Sequence, residues 1–194
     1  MIVLETERLT LRHLTLDDDQ FIYGLMNEPA YIENIGDRNI HSFADAGRYI
    51  QEKLTPSYQQ HGYGLYAVES KSDQQPIGIA GFVKREILEA ADIGFAFLSN
   101  HRQRGYGYEA ASHLMEYGRA KLSMTRIFGV TSPTNHSSIQ LLQKLGLRFE
   151  RMIRLPTYDR ESMLFSTDTA SRPENQSPPD GRSGVADSAE ASSA

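Results

Sequence analysis

The stretch Arg102-Gln103-Arg104-Gly105-Tyr106-Gly107 holds residue types that grip phosphate. Gly105 and Gly107 lack Cβ, so an anionic oxygen can approach the backbone closely and the chain can take positive φ. Arg102 and Arg104 can add charge-assisted hydrogen bonds to a pyrophosphate. A helix starting here would offer free N–H groups and the positive end of its dipole to the same anion. Two named phosphate motifs fit badly. The P-loop pattern is absent, and a dinucleotide fingerprint needs an acid about 20 residues further on, at the end of the next strand. The segment 126–132 runs into GVTSP instead. An RG-type RNA element would normally repeat inside a disordered basic region, whereas this one is single. A second candidate pair follows. Asn135 is a good helix N-cap, and Ser138, three residues on, lies on the same side. A capped helix alone also explains both. The six histidines are scattered, and no cluster has metal-ligand spacing.

The surrounding elements decide between these readings. ERLTLRHLT (7–15) alternates like a half-buried strand. Residues 17–29 carry acids first and then Phe21, Ile22, Leu25 and Met26 at helical spacing, with Pro29 as a stop. Ser42 opens a second helix over 42–58. Residues 63–70 and 75–86 form an antiparallel hairpin, and 91–99 is another strand. The glycine stretch then joins the carboxyl end of that strand to a helix over 105–122. Ala111, Leu114, Met115, Gly118 and Leu122 mark the apolar face of this helix. A strand over 126–132, a helix from Asn135 to the stop at Gly146, and two closing strands (147–155 and 162–167) complete the order. Strand 91–99, helix 105–122 and strand 126–132 form a right-handed βαβ unit with parallel strands. The short connections elsewhere imply antiparallel neighbours. The expected fold is an α/β (α+β) mixed sheet, mostly antiparallel, with helices on both faces. Ligands favour the carboxyl ends of strands in such sheets, where the glycine stretch lies.

Bulk properties narrow the function classes. The chain has 194 residues, 39% of them hydrophobic, and a formal charge of −5. No global cationic field draws it to nucleic acid or an acidic membrane. Cysteine is absent, which excludes disulfides and thiolate metal sites. Apolar runs stay far below the roughly 20 residues of a membrane helix, and no secretory signal is evident. A cytoplasmic protein is expected. From Asp168 the chain is rich in Ser, Ala, Pro and Gly, with Val185 its one sizeable apolar side chain. We expect one domain over 1–167 and a disordered tail over 168–194.

Together, the two chemistry-bearing segments resemble the GNAT superfamily of N-acetyltransferases. Arg102-Gln103-Arg104-Gly105-Tyr106-Gly107 matches its acetyl-coenzyme A motif [Q/R]-x-x-G-x-[G/A]. Asn135 and Ser138 match its next motif, with Leu141 and Leu142 in the apolar slot and KLGLRFE as the exit through Gly146. The N-terminal LETERLTLRHLTLDD is similar to the branch containing ribosomal-protein alanine N-acetyltransferases. The resemblance covers roughly residues 3–166.

It implies a central parallel strand pair that splays apart to admit acetyl-CoA as co-substrate, with no metal. The pyrophosphate would lie on backbone amides of the turn from Arg102 to Gly107, including Gln103, Arg104, Gly105 and Tyr106. The pantetheine arm would pair with the strand near Phe95–Phe97. Backbone N–H groups near Phe97 and Leu98 would polarise the thioester carbonyl, where negative charge develops. Asn135 would bond the pantetheine or assist at the reacting centre. Many members carry a tyrosine where this chain has Leu142. In the ribosomal-protein branch the Ser138 slot holds the proposed proton donor.

The implied reaction is direct transfer, in a ternary complex, to the primary amine of a protein N-terminus or a small molecule. An ammonium has no lone pair, so a base must take its proton. Glu69, Glu86, Asp92 and His101 are the candidates. Asp92 sits at the far end of its strand, where a solvated acid is the simplest expectation, and the helix dipole accounts for Glu109. The polar segment 31–42 (Tyr31, Asn34, Gly36, Asp37, Arg38) would lie over the acceptor site. The expected state is a monomer or homodimer without nucleic-acid or membrane partners. A non-catalytic acyl-CoA-binding regulatory module is the alternative, and Leu142 favours it slightly.

Overall fold

The computed structural model describes residues 1–156 and 161–167, so the expected tail lies outside the described residues. The chain begins with β1 (Ile2–Glu5) and β2 (Leu9–Arg12). On β2, Leu9 and Leu11 are fully buried while Thr10 and Arg12 are half-buried, the alternation of a strand with one core face. β1 was not expected from the sequence; it is four residues long, exposed at both ends with Val3 and Leu4 half-buried against the core, and forms an edge of the sheet.

Helix α1 (Asp19–Met26) buries Ile22, Leu25 and Met26. Pro29, read from the sequence as a stop, instead opens α2 (Pro29–Ile35). Proline suits the first turn of a helix, where its missing N–H is no loss. The polar segment expected at 31–42 is therefore helical in its first part. The helix expected over 42–58 runs further, as α3 (Phe43–Tyr49), a π-helical piece (Ile50–Leu54) and α4 (Thr55–His61). Ser42 caps α3 as expected, its hydroxyl accepting the Asp45 N–H at 3.1 Å. Pro56, at the start of α4, has no N–H for the helical ladder, and the widened π turn precedes it.

The hairpin β3 (Leu65–Ser70) and β4 (Gln75–Val83) follows, then β5 (Asp92–Phe97), α5 (Tyr106–Lys121) and β6 (Phe128–Thr131). Helix α6 (His136–Lys144), β7 (Arg148–Arg154) and β8 (Glu161–Ser166) end the described chain. The strands form one eight-stranded sheet in the order β1-β2-β3-β4-β5-β6-β8-β7. Every neighbouring pair is antiparallel except β5–β6. Helix α5 covers one face through Ala110, Ala111, Leu114 and Met115, packed with Leu9, Tyr66, Phe82 and Ile93. Helices α1 to α3 cover the other face, over Ala67 and Ile79. This is the mixed sheet with helices on both faces that the sequence led us to expect.

The central parallel pair barely pairs. Asp92 stands opposite Phe128, and the Phe128 N–H donates to the Ala91 carbonyl at 2.9 Å. Beyond that position β5 keeps to β4 through Phe97, and β6 keeps to β8 through Thr131. Each parallel strand is held by its antiparallel partner, so the two diverge toward their carboxyl ends and leave a wedge between them.

Candidate active site

The wedge is a cavity of about 510 Å³. One wall is β5 from Gly94 to Phe97, and Val130, Thr131 and Ser132 form the opposite wall. Arg102, Gln103 and Gly107 of the glycine turn border it, together with Asn135, Ser138 and Leu141 of the α6 region. Tyr31, Asn34, Arg38, Tyr49, Arg85, Asp92 and Glu161 also line it.

The glycine turn takes a shape that needs its glycine. Gly105 has φ +83°, and Gln103 also has positive φ, at 60°. Helix α5 starts at the next residue, Tyr106. Among the described residues, the backbone N–H groups of Gly105, Tyr106, Gly107 and Tyr108 donate to no protein acceptor. The unsatisfied donors and the dipole of a sixteen-residue helix thus converge on one spot. Gly107 lets the helix start pack tightly: a Cβ there would lie 3.3 Å from Leu141 Cδ2 and 3.6 Å from Phe97 Cε2. Arg104 is exposed beside these donors.

Arg102 lines the cavity and also ties the turn to the fold. Its backbone N–H donates to the Ser99 carbonyl at 3.4 Å, and its Nε donates to the Phe97 carbonyl at 2.8 Å. Its terminal nitrogen pairs with the Glu28 carboxylate. These bonds tie the turn to β5 and to the start of α2, and engage Nε and one terminal nitrogen with protein acceptors. Leu98 corrects the sequence reading, because its N–H donates to the Ile77 carbonyl at 3.0 Å and is not available to a thioester. Hydrogen-bonding direction alternates along an antiparallel strand. With Leu98 turned to β4, Ala96 and Gly94 turn the same way, and the N–H groups of Phe95 and Phe97 face the wedge.

Asn135 caps α6. Its Oδ1 accepts from the Ser138 N–H at 3.1 Å and from the Ser137 hydroxyl at 3.0 Å, which leaves its NH2 for another partner. Ser138 is half-buried on the cavity wall, and its hydroxyl bonds no protein group among the described residues. Leu142 is 1% exposed and belongs to the core beneath β6. Burying a leucine there contributes about 2 kcal/mol, whereas a tyrosine hydroxyl at that depth would need a partner.

The candidate bases separate clearly. Glu69 is tied to Arg12 Nε at 2.7 Å, away from the cavity. Glu86 is exposed and off the cavity wall. His101 lines the cavity beside Arg102, on the turn. Asp92, expected to be solvated, is 2% exposed. Its carboxylate meets Arg85 at 3.1 Å (Nε to Oδ1) and 3.3 Å, and both side chains line the cavity. Burial pushes the Asp92 carboxyl up from its ordinary range, against the opposing pull of Arg85. Asp92 is buried because it starts β5 at the rung where β5, β4 and β6 all meet.

Tyr31, Asn34 and Arg38 from the polar segment line the cavity, whereas Gly36 and Asp37 do not. Sequence reasoning missed Arg85, Tyr49, Glu161 and Ser162. No sequence signal marked Arg85, whose place follows from the sheet register. Val83 pairs with Asp92, so the arginine two residues beyond Val83 falls on the same face as the acid. No group of three or more potential metal ligands occurs among the described residues. None of the described helices is long and apolar enough to cross a membrane.

The acetyltransferase (GNAT) domain profile matches residues 8–148, and this chain belongs to that family of acyltransferases. It is 29% identical over 157 residues to the uncharacterized N-acetyltransferase YoaA of Bacillus subtilis (strain 168), covering 80% of this chain and 88% of the relative. Among solved structures, the fold is similar to an acetyltransferase from Salmonella typhimurium described as modifying the N-terminal serine of ribosomal protein L7/L12. That likeness has a TM-score of 0.72 and 14% identity, and covers 86% of this chain and 98% of the other. The microcin C7 self-immunity acetyltransferase MccE, solved with acetyl-CoA and AMP, is similar at a TM-score of 0.69 and 17% identity, covering 83% and 92%.

Proposed function

We propose that this acetyltransferase moves the acetyl group of acetyl-CoA directly to a primary amine of a protein N-terminus or small molecule, both substrates being bound at once in the wedge. The carrying observation is the divergence of β5 and β6 after a single rung, with four partnerless N–H groups of the α5 start beside its mouth. The turn from Gln103 to Gly107 would hold the pyrophosphate, with Arg104 adding charge. The pantetheine arm would run along β5, its thioester carbonyl accepting from the wedge-facing N–H of Phe97. Asn135 would offer its NH2 to the arm.

The amine would enter from the side of Tyr31, Asn34 and Arg85. Asp92 is the carboxylate on that side with burial on its account. A carboxylate held above its ordinary range takes a proton from an ammonium more readily than a solvated one. The freed lone pair attacks the thioester carbon, the C–N bond forms, and the carbon–sulfur bond breaks as the tetrahedral intermediate collapses. The leaving thiolate takes a proton, for which the Ser138 hydroxyl on the α6 wall is the candidate.

A thiol-release assay with acetyl-CoA and a panel of amines, including peptides with free N-termini, tests this. Release of coenzyme A that depends on the amine supports it. Tight coenzyme A binding with no release across the panel would leave a non-catalytic acyl-CoA-binding module.

A further inference from the structure

The glycine turn is gripped from behind by a residue outside both of the motifs that frame the wedge. Arg8, just before β2, donates from Nη1 to the Arg104 carbonyl at 3.1 Å. Its guanidinium lies over the Tyr106 ring, 4.6 Å from the centroid. A Cβ at Gly105 would sit 3.3 Å from its terminal nitrogen. Glu109, in the first turn of α5, holds Arg8 in place. Its carboxylate accepts from Arg8 Nε at 2.6 Å, from the Arg8 backbone N–H at 2.9 Å and from the Thr6 hydroxyl at 2.5 Å. Glu109 is 13% exposed, while Arg8 is 45% exposed.

The peptide unit joining Arg104 to Gly105 is planar and trans, so its carbonyl and N–H point in opposite directions. A guanidinium fixed on the carbonyl therefore fixes where the Gly105 N–H points, on the opposite side of the turn. Arg8 also neutralises a carboxylate that would otherwise stand one helical turn from a bound polyphosphate. Both effects act on the anion-binding end of the donor and leave the thioester end alone.

We infer that Arg8, anchored by Glu109, is a positioning residue for the pyrophosphate turn: it orients the Gly105 N–H and cancels the Glu109 charge, and so sets affinity for the nucleotide end of the donor. This rests on the proposed use of the turn as a pyrophosphate cradle.

The test compares acetyl-CoA with acetyl-pantetheine, which lacks the pyrophosphate and nucleotide, in wild type, Arg8→Ala and Arg8→Lys. The readouts are KM and kcat, with coenzyme A and pantetheine affinities measured by calorimetry. Arg8→Ala should raise KM for acetyl-CoA about tenfold, the loss of one charge-assisted contact, with kcat within about twofold. The same variant should leave acetyl-pantetheine kinetics unchanged. Arg8→Lys keeps the charge without the fork and should recover part of the loss. If Arg8→Ala folds poorly, Arg8→Lys carries the comparison, with a smaller loss confined to acetyl-CoA. Equal losses with both donors would mean Arg8 only supports the fold, and no loss would mean it positions nothing; either overturns the inference. The underlying reading fails differently: wild-type protein would then bind coenzyme A no better than pantetheine.

Discussion

The two halves of the cavity are built in different ways. The half proposed to take the donor comes from two continuous stretches, 102–108 and 135–142, each at the start of a helix. It would work through backbone N–H groups whose direction is set by positive φ at Gly105 and by capping at Asn135. The half proposed to take the acceptor gathers single side chains from α2, the loop after it, the end of β4, the start of β5 and the start of β8. In the proposed reaction it would work through side-chain chemistry, chiefly the Asp92–Arg85 pair. A backbone site depends on chain path, so the same turn can serve any acceptor. A side-chain site can be rebuilt residue by residue, and this is where chains of one fold can differ in what they acetylate.

This contrast predicts that damage to each half shows in different kinetic constants. The largest effect should come from Asp92→Asn. An amide cannot take the proton, so kcat should fall about a hundredfold or more, while acetyl-CoA affinity stays the same. The wild-type pH profile sharpens the point. Burial raises the Asp92 pKa, so the protonated, inactive form persists above the ordinary carboxylate range. Activity should rise with pH through that raised value, and Asp92→Asn should lose that limb. Turnover within twofold of wild type would remove Asp92 from the chemistry.

Ser138→Ala should have a smaller effect on the same constant. Its hydroxyl makes no bond to protein among the described residues, so removing it leaves no orphaned partner and little change in thermal stability. We expect about a tenfold fall in kcat with acetyl-CoA affinity unchanged. A fall in affinity without one in kcat would place Ser138 with the pantetheine arm instead.

How much of this could be read in advance follows the same division. That the two stretches would border one cavity was legible because their residues are neighbours in sequence: Arg102 to Gly107 and Asn135 to Ser138 carry their spacing with them. Even there the reading fell short where tertiary contacts decide. Nothing in RQRGYG says that Arg102 turns back to the Phe97 carbonyl and Glu28, or that the Leu98 N–H belongs to Ile77. The acceptor half was mostly illegible. Asp92 looked like a solvated strand start because its burial depends on β4 and β6 meeting at that rung, and Arg85 gains meaning only from the β4–β5 register. Helix α2 was hidden by Pro29, which ends one helix pattern and begins another.

One residue joins the two halves and gives the finest test of their independence. Glu28 is the residue before α2, whose Tyr31 and Asn34 line the acceptor side. Its carboxylate accepts the Ser99 N–H at 2.8 Å and pairs with Arg102, which holds the Phe97 carbonyl on the donor side. The pair is partly exposed, Arg102 at 37% and Glu28 at 17%, so its energetic worth is modest. Glu28→Gln keeps the shape and the Ser99 bond while removing the charge. If the halves are mechanically separate, KM for acetyl-CoA should rise about threefold, and the amine KM should not move. A matched rise in both constants would show that acetyl-CoA and acceptor are coupled through this one carboxylate. The separation argued from the wedge would then hold for the chemistry of each half, while binding in one half would be felt in the other.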